Sequence, residues 1–240
     1  MQAIEAILFD PVGCLAEFPS APFLEIAFRL FGRERKPSQS GSRSYWHLLN
    51  LIQSASKKLD ESERQLVEAL ELQAVGSASA YEDVVPALSD LRAMNVRLFI
   101  ASSLSGAAIT QFLDRNSLQG FFSAVWSRDN AGGTKAAPLQ AAIAGASLQP
   151  KQGMFLADTL EGLRIAQAVG LQSVLMMNDP DEARRLAMHN PSGGIVSLHE
   201  LPDFIRLVAA ENSTRSTAMK NLDRNRSDKG AFTRGDQDAP

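Results

Sequence analysis

The sequence predicts an α/β protein with a doubly wound parallel sheet and a small, all-helical cap inserted after the first strand. Short apolar runs alternate with helical patterns along most of the chain, and one long stretch carries helical patterns only. Strands that alternate with helices across short loops are typical of a parallel sheet covered on both faces. The predicted core domain covers residues 1–16 and 82–210, the cap residues 17–81, and a disordered tail residues 211–240.

Five apolar runs, each followed by polar or turn-forming residues, have the character of buried parallel strands. They lie at residues 3–9, 96–101, 122–126, 154–157 and 173–177. Helical patterns at 84–94, 107–115, 139–146 and 160–169 complete the alternation. The tail from residue 211 is charged and polar without apolar periodicity, and we expect it to be disordered.

Residues 17–81 break the alternation, with helical patterns near 22–31, 44–56 and 62–75 and no strand signal between them. A stretch of roughly 65 residues is too long for a simple crossover. It leaves and re-enters at the carboxyl end of the first strand, the edge where open α/β sheets bind ligands. We therefore expect a lid that excludes water and selects the substrate. Tyr45 and Trp46 fall in this cap, where packing in its core is favoured over the alternative that they face the substrate.

Composition excludes several classes of function. The 240 residues carry a net charge of −3 and a pI of about 5.7, so the chain has no basic footprint for nucleic acid or an anionic membrane. The single cysteine, Cys14, excludes an internal disulfide and a cysteine-based zinc site. The first residues do not resemble a signal peptide, and no apolar run approaches the roughly 18 residues that span a bilayer. We expect a cytoplasmic protein with a small-molecule ligand; the oligomeric state stays open.

Four residues at predicted strand ends or loops carry chemistry: Asp10, Ser102, Lys135 and Asp158. A carboxylate can act as a nucleophile, and a second carboxylate can help to bind Mg²⁺ together with a substrate phosphate. Lysine and hydroxyl groups stabilise the oxygens of a transferring phosphoryl group. Together, these residue types indicate phosphoryl transfer.

The same segments resemble the four motifs of the haloacid dehalogenase-like (HAD) superfamily. The first motif, normally Asp-x-Asp-Gly-Thr-Leu after a hydrophobic strand, is similar to AILFDPVGCL. The second is similar to LFIASS, the third to Lys135 with Pro138 following, and the fourth to FLADTLEGLRIAQAVG. The inserted helices match the cap of the phosphoglycolate phosphatase-like branch. The resemblance covers residues 4 to 205 and implies a Rossmann-like core.

This resemblance implies a Mg²⁺-dependent hydrolase, a phosphatase that acts on a small phosphomonoester through an aspartyl-phosphate. It assigns catalysis to Asp10 and Lys135, and substrate binding to Ser102 and Ser103. The implied metal ligands are Asp10, the Val12 carbonyl, Asp158 and Glu161.

Three departures from the family's motifs bear on function, at Val12, Ser103 and Gly162. Val12 stands where phosphatases of the family carry the acid that protonates the leaving alcohol, and such a loss typically costs about 10²–10⁴-fold. Ser103 replaces the usual Asn. Gly162 replaces the second acid of the fourth motif, and Glu161, one residue earlier, is expected to substitute for it in part.

These departures leave three functions open. The first is a weak phosphatase, and the second is a catalytically impaired member that binds a ligand or a partner. The third is a metal-independent 2-haloacid dehalogenase, in which halide leaves without a proton. The third ranks last because Asp158 without a metal would place a second anion beside an anionic substrate.

Overall fold

A computed structural model describes residues 3–32, 40–55 and 58–210; the predicted disordered tail at 211–240 lies outside them. In chain order the strands are β1 (Ala6–Phe9), β2 (Ala16–Glu17), β3 (Ser79–Ala80), β4 (Arg97–Ala101), β5 (Ala124–Trp126), β6 (Gly153–Ala157), β7 (Gln172–Met176) and β8 (Gly193–Ile195). The helices are α1 (Ser20–Phe31), α2 (Gly41–Ser54), α3 (Glu61–Ser77), α4 (Val84–Ala93), α5 (Gly106–Arg115), α6 (Ala136–Gly145), α7 (Leu160–Ala168), α8 (Pro180–Ala187) and α9 over residues 201–210.

Six of the strands form one parallel sheet in the order β5-β4-β1-β6-β7-β8. The chain builds outward from β1 on one side through β4 and β5, and on the other side through β6, β7 and β8. The carboxyl end of β1 is therefore the point where the strand order reverses. Open α/β sheets bind their ligands at this point.

The predicted doubly wound α/β class is confirmed. The five predicted strands correspond to β1, β4, β5, β6 and β7. Helix α8 and strand β8 were not predicted, and β8 extends the sheet by pairing with β7. A short antiparallel pair, Ala16–Glu17 with Ser79–Ala80, flanks the helices of the predicted cap segment and was not predicted. A two-residue strand is too short to show a period of two in the sequence.

Burial explains why β1 forms the centre of the sheet. All four of its residues are buried, and successive side chains point to opposite faces of a strand. Ile7 and Phe9 pack in one hydrophobic cluster, whereas Ala6 and Leu8 pack in the cluster on the other face. A strand covered on both faces leaves only its end residues exposed to a ligand.

The helices α1, α2 and α3 lie between β2 and β3, in the predicted cap segment. α3 begins at a capping box, in which Asp60 and Glu63 each bond the other's backbone N–H. Phe18 packs on Phe23 of α1 and on Phe112 of α5, with ring centroids 6.5 and 5.6 Å apart. The cap therefore shares a hydrophobic core with the sheet domain. None of the helices in the described ranges is long and apolar enough to cross a membrane.

Candidate active site

The end of β1 places Asp10 at the switch point, between the ends of β4 and β6. Its buried carboxylate accepts two hydrogen bonds at Oδ1, from the Val12 backbone N–H at 3.1 Å and from the Ser102 hydroxyl at 2.9 Å. Oδ2 accepts none from the described residues. Burial raises the pKa of Asp10 to about 7, the two hydrogen bonds oppose that rise, and the charge of Asp158 adds to it.

The turn after Asp10 brings the chain against Asp158. Gly13 in this turn has a φ of +80°, which glycine adopts without strain. A Cβ at Gly13 would also overlap the Asp158 carboxylate and the Ser42 hydroxyl. Glycine is thus required here both by the backbone conformation and by the close approach of a second carboxylate.

Asp158 follows β6 and is the second carboxylate at this edge; unlike Asp10, it is only partly buried. The Ser42 hydroxyl of α2 donates to its Oδ2. Burial raises the pKa of Asp158 to about 7; the Ser42 hydrogen bond and the charge of Arg43 oppose the rise. Arg43 is itself paired with Glu182 of α8, so Asp158 has no ion pair of its own among the described residues.

These residues fit a divalent cation by their chemistry. Mg²⁺ binds through one or two carboxylates and completes its coordination with substrate phosphate and water. Asp10 and Asp158 are two carboxylates without an ion pair, and the Val12 carbonyl is a further oxygen in the same turn. Within the described ranges, no three His, Cys, Asp or Glu side chains group closely enough to hold a metal ion. Glu161 accepts a hydrogen bond from Asn50 at 3.4 Å, and its role as a metal ligand stays a prediction.

The two serines after β4 have different partners. Ser102 donates to Asp10 and accepts the Leu104 backbone N–H at 3.2 Å. Ser103 accepts the backbone N–H of Lys135 at 2.6 Å, so its hydroxyl fixes the loop that carries the lysine. The structure therefore brings Ser102 to the carboxylate; that Ser103 binds the substrate stays a prediction.

Lys135 lies in a strained loop and points to the cap. Its φ of +61° is unusual for a residue with a side chain, and such strain is typical of functional sites. The Lys135 ammonium donates to Asn50 Oδ1 at 2.6 Å and to Gln53 of α2, and it has no hydrogen bond or ion pair with Asp10 in the described structure. Burial lowers the pKa of Lys135, and the Glu161 charge opposes this. Its catalytic assignment stays a prediction that requires the ammonium to leave the cap.

One face of α2 supplies the site residues that the sequence pattern did not reveal. Residues three or four apart on a helix share a face. Ser42, Tyr45, Asn50 and Gln53 of α2 bond Asp158, Ser102 and Lys135 of the core. For Tyr45 the cap core was the favoured position and facing the substrate the alternative; it is buried against Phe23, and its hydroxyl also reaches Ser102.

The space around Asp10 is closed in this conformation. The pocket lined by Asp10, Val12, Trp46 and Asp158 has no volume for a water molecule. A cleft of about 310 Å³ opens on the other side of Asp158, towards the end of β7 and the start of α8. In this arrangement there is no room for a ligand in that pocket beside Asp10, whereas the cleft borders Asp158.

A buried ion pair outside the site fixes the loop after β4. Glu71 of α3 pairs with Arg128, and it also accepts the Ser105 backbone N–H at 3.1 Å. Arg128 donates in addition to the Ser103 carbonyl at 3.2 Å. The pair joins the cap helix α3 to both ends of the Ser103–Ser105 segment.

Glu71→Ala is expected to lower the free energy of unfolding by about 3 kcal/mol, because it removes the buried carboxylate that pairs with Arg128 and leaves the guanidinium only the more distant Asp129, at 3.7 Å. Urea denaturation measures the change, and Glu68→Ala, on the same helix with a less buried side chain, is the matched control. Replacing both partners by apolar residues should recover much of the loss. Equal effects of Glu71→Ala and Glu68→Ala would show that the pair does not stabilise the fold.

The raised carboxyl pKa values predict how stability depends on pH. Asp10 and Asp158 have pKa values of about 7 in the folded protein against an ordinary value of 3.8. Between pH 4 and pH 7 the folded state therefore binds more protons than the unfolded state. The contribution of these two groups to the free energy of unfolding is complete below pH 4 and is lost as the pH rises through 7. We expect a loss of a few kcal/mol in unfolding free energy between pH 5 and pH 8, and partial recovery with Mg²⁺ at pH 8 only. Equal stability at both pH values would contradict the burial of these charges.

Comparisons with known proteins identify the family to which the fold belongs. A family model described as haloacid dehalogenase-like hydrolase matches residues 38–176, more than half of the chain. A comparison with curated proteins found no match. Three solved structures illustrate the similarity in fold, each at low sequence identity.

A haloacid dehalogenase-like family protein from Streptococcus pneumoniae is 16% identical with a TM-score of 0.64, covering 85% of this chain and 99% of that one. A HAD phosphatase from Thermococcus onnurineus is 20% identical with a TM-score of 0.58, covering 84% and 97%. An L-2-haloacid dehalogenase from Xanthobacter autotrophicus, with chloropropionic acid covalently bound, is 16% identical with a TM-score of 0.56, covering 85% and 98%.

The doubly wound sheet and the helical insertion define a class of α/β proteins with a helical cap inserted after the first strand of the sheet. Within that class, this chain belongs to the haloacid dehalogenase-like hydrolase family.

Proposed function

We propose that this protein is a Mg²⁺-dependent phosphatase that hydrolyses small phosphomonoesters weakly, through an aspartyl-phosphate on Asp10. The observation that carries the proposal is the pair of carboxylates, Asp10 and Asp158, at the switch point of the sheet. Asp158 raises the pKa of Asp10, and neither side chain has an ion pair among the described residues. A divalent cation would stabilise both charges, and metal dependence separates the phosphatase from the dehalogenase reaction.

The arrangement around Asp10 suits a nucleophile. Val12 N–H and Ser102 O–H both bond Oδ1, which leaves Oδ2 to attack phosphorus as the bond from phosphorus to the ester oxygen breaks. Bound Mg²⁺ would supply charge neutralisation for the two carboxylates and the phosphoryl oxygens. Lys135, after release from the cap, would hold the remaining oxygens of the phosphoryl group. The single hydroxyl hydrogen of Ser102 stays on Asp10 Oδ1.

The rate should depend strongly on the leaving group. Val12 cannot donate a proton, so an alkoxide must leave without help from that position. Acyl and aryl phosphates release stable anions and need little assistance. We therefore propose that turnover is measurable on acetyl phosphate and p-nitrophenyl phosphate, and slow on alkyl phosphates.

A second candidate function is a non-catalytic member that binds a ligand or partner. It is favoured by the closed pocket at Asp10 and by the cap residues that already bond Asp158, Ser102 and Lys135. The dehalogenase reaction is disfavoured because two carboxylates would face an anionic haloacid without a neutralising metal.

Hydrolysis of acetyl phosphate, p-nitrophenyl phosphate and glycerol phosphate should be measured with Mg²⁺ and with a chelator, alongside chloride release from 2-chloropropionate. We expect Mg²⁺-dependent rates on the first two esters and rates at least about 10²-fold lower on the third. Chloride release that persists in chelator would indicate a dehalogenase instead. No turnover of any compound would favour the binding function.

A further inference from the structure

Tyr45 brings a cap hydroxyl to the group that holds the proposed nucleophile. The side chain is 1% exposed and belongs to α2. Its ring packs against Phe23, with centroids 5.2 Å apart, and against Trp46 at 6.1 Å. Its hydroxyl lies 3.4 Å from Ser102 Oγ. A buried hydroxyl requires a hydrogen-bond partner, and Ser102 meets this requirement.

Counting hydrogens gives the direction of the bond. A serine hydroxyl has one hydrogen and two acceptor positions. Ser102 donates its hydrogen to Asp10 Oδ1 and accepts the Leu104 backbone N–H. A carboxylate able to attack phosphorus only accepts, so Tyr45 must donate to the remaining acceptor position on Ser102. The chain of donors then runs from Tyr45 through Ser102 to Asp10.

The hydrogen bonds also fix which carboxylate oxygen reacts. Both bonds to Asp10 end on Oδ1, one from the Val12 backbone and one from Ser102. The backbone bond is local, two residues away, whereas the hydroxyl of Ser102 can rotate. Tyr45 and the Leu104 N–H are the groups that restrict this rotation, and of these two only Tyr45 belongs to the cap.

We propose that Tyr45 is a positioning residue, whose hydroxyl aligns Ser102 towards Asp10 when the cap lies on the sheet domain. This inference rests on the proposed function, because alignment matters only if Asp10 reacts. It couples the cap to the nucleophile through the contact between Tyr45 and Ser102. The aromatic ring alone, by contrast, would fill the cap core equally well as phenylalanine.

The test is a double-mutant cycle with Tyr45→Phe, Ser102→Ala and both changes, measured as kcat and KM on acetyl phosphate with Mg²⁺. Tyr45→Phe is expected to lower kcat about 10-fold with less change in KM, and to have an effect below about 2-fold in the Ser102→Ala protein. Tyr81→Phe changes the other tyrosine of the chain, and it should alter kcat less than 2-fold. An equal loss from Tyr45→Phe in both backgrounds, or no loss in the wild-type background, would overturn the proposal.

The same four proteins give a second cycle, in free energy of unfolding, which needs no turnover. If the effects of Tyr45→Phe and Ser102→Ala are non-additive both in the free energy of unfolding and in kcat, the positioning role is supported. If wild type hydrolyses no phosphate ester, the proposed function fails and this inference fails with it. A non-additive unfolding cycle in that case shows that the contact between Tyr45 and Ser102 is structural only. Hydrolysis with an additive kcat cycle overturns this inference alone.

Discussion

Asp10→Asn is expected to lower Mg²⁺-dependent hydrolysis of acetyl phosphate by about 10³-fold or more, because an amide cannot serve as the nucleophile. The substitution is close to isosteric, and the amide oxygen retains the acceptor that Val12 N–H and Ser102 O–H use. The loss should appear in kcat and in kcat/KM. Steady-state rates, with the Mg²⁺ concentration held at saturation, measure it.

The same substitution should leave the protein at least as stable at pH 8. It removes a buried charge whose pKa is raised to about 7 by burial and by Asp158. Activity and melting temperature are therefore expected to change in opposite directions, as they often do at active sites. Asp90→Asn, on the exposed face of α4, is the matched control and should change neither. Wild-type rates in Asp10→Asn would exclude Asp10 as the nucleophile.

Val12→Asp is expected to raise hydrolysis of alkyl phosphates such as glycerol phosphate by about 10²–10⁴-fold, because it supplies the missing proton donor. Val12 is 1% exposed and lines the closed pocket together with Asp10 and Asp158. A protonated carboxyl at this position can donate its proton to the departing alkoxide, and the carboxylate that results can then accept a proton from the attacking water. Acetyl phosphate should gain much less, because its leaving group needs no proton.

A third carboxylate beside Asp10 and Asp158 also has a cost. The added charge should lower stability without metal and make Mg²⁺ more necessary for folding stability at pH 8. Val12→Asn is the control, since it adds a polar group of similar size that cannot transfer a proton in the same way. Equal gains in Val12→Asp and Val12→Asn, or equal gains on alkyl and acyl phosphates, would show that proton transfer is not the missing step.

The sequence by itself determined the sheet and the edge where the site lies. The apolar run before Asp10 is a fully buried strand, and Asp158 follows another, so parallel packing brings both to one edge. These signals are local, because a buried strand is apolar throughout and ends abruptly at polar residues. A usable signal for α8 was also present, with Asp179 at the N-cap position and Pro180 at the first helical position. Strand β8, with sequence GGI, carries no such signal because glycine has low strand propensity.

Only the tertiary structure decided how the cap meets the site. Ser42 reaches Asp158 across 116 positions of the chain, and Tyr45 reaches Ser102 across 57. Glu71 is one acid among several on α3, and its burial depends on Arg128. Whether a polar residue on a helix faces solvent or a catalytic group depends on the packing of distant segments, which periodicity within the helix does not encode. The residues that carry the site chemistry can therefore be found at strand ends in the sequence. The contacts that the cap makes with them cannot, because hydrogen bonds between distant segments form only in the packed fold.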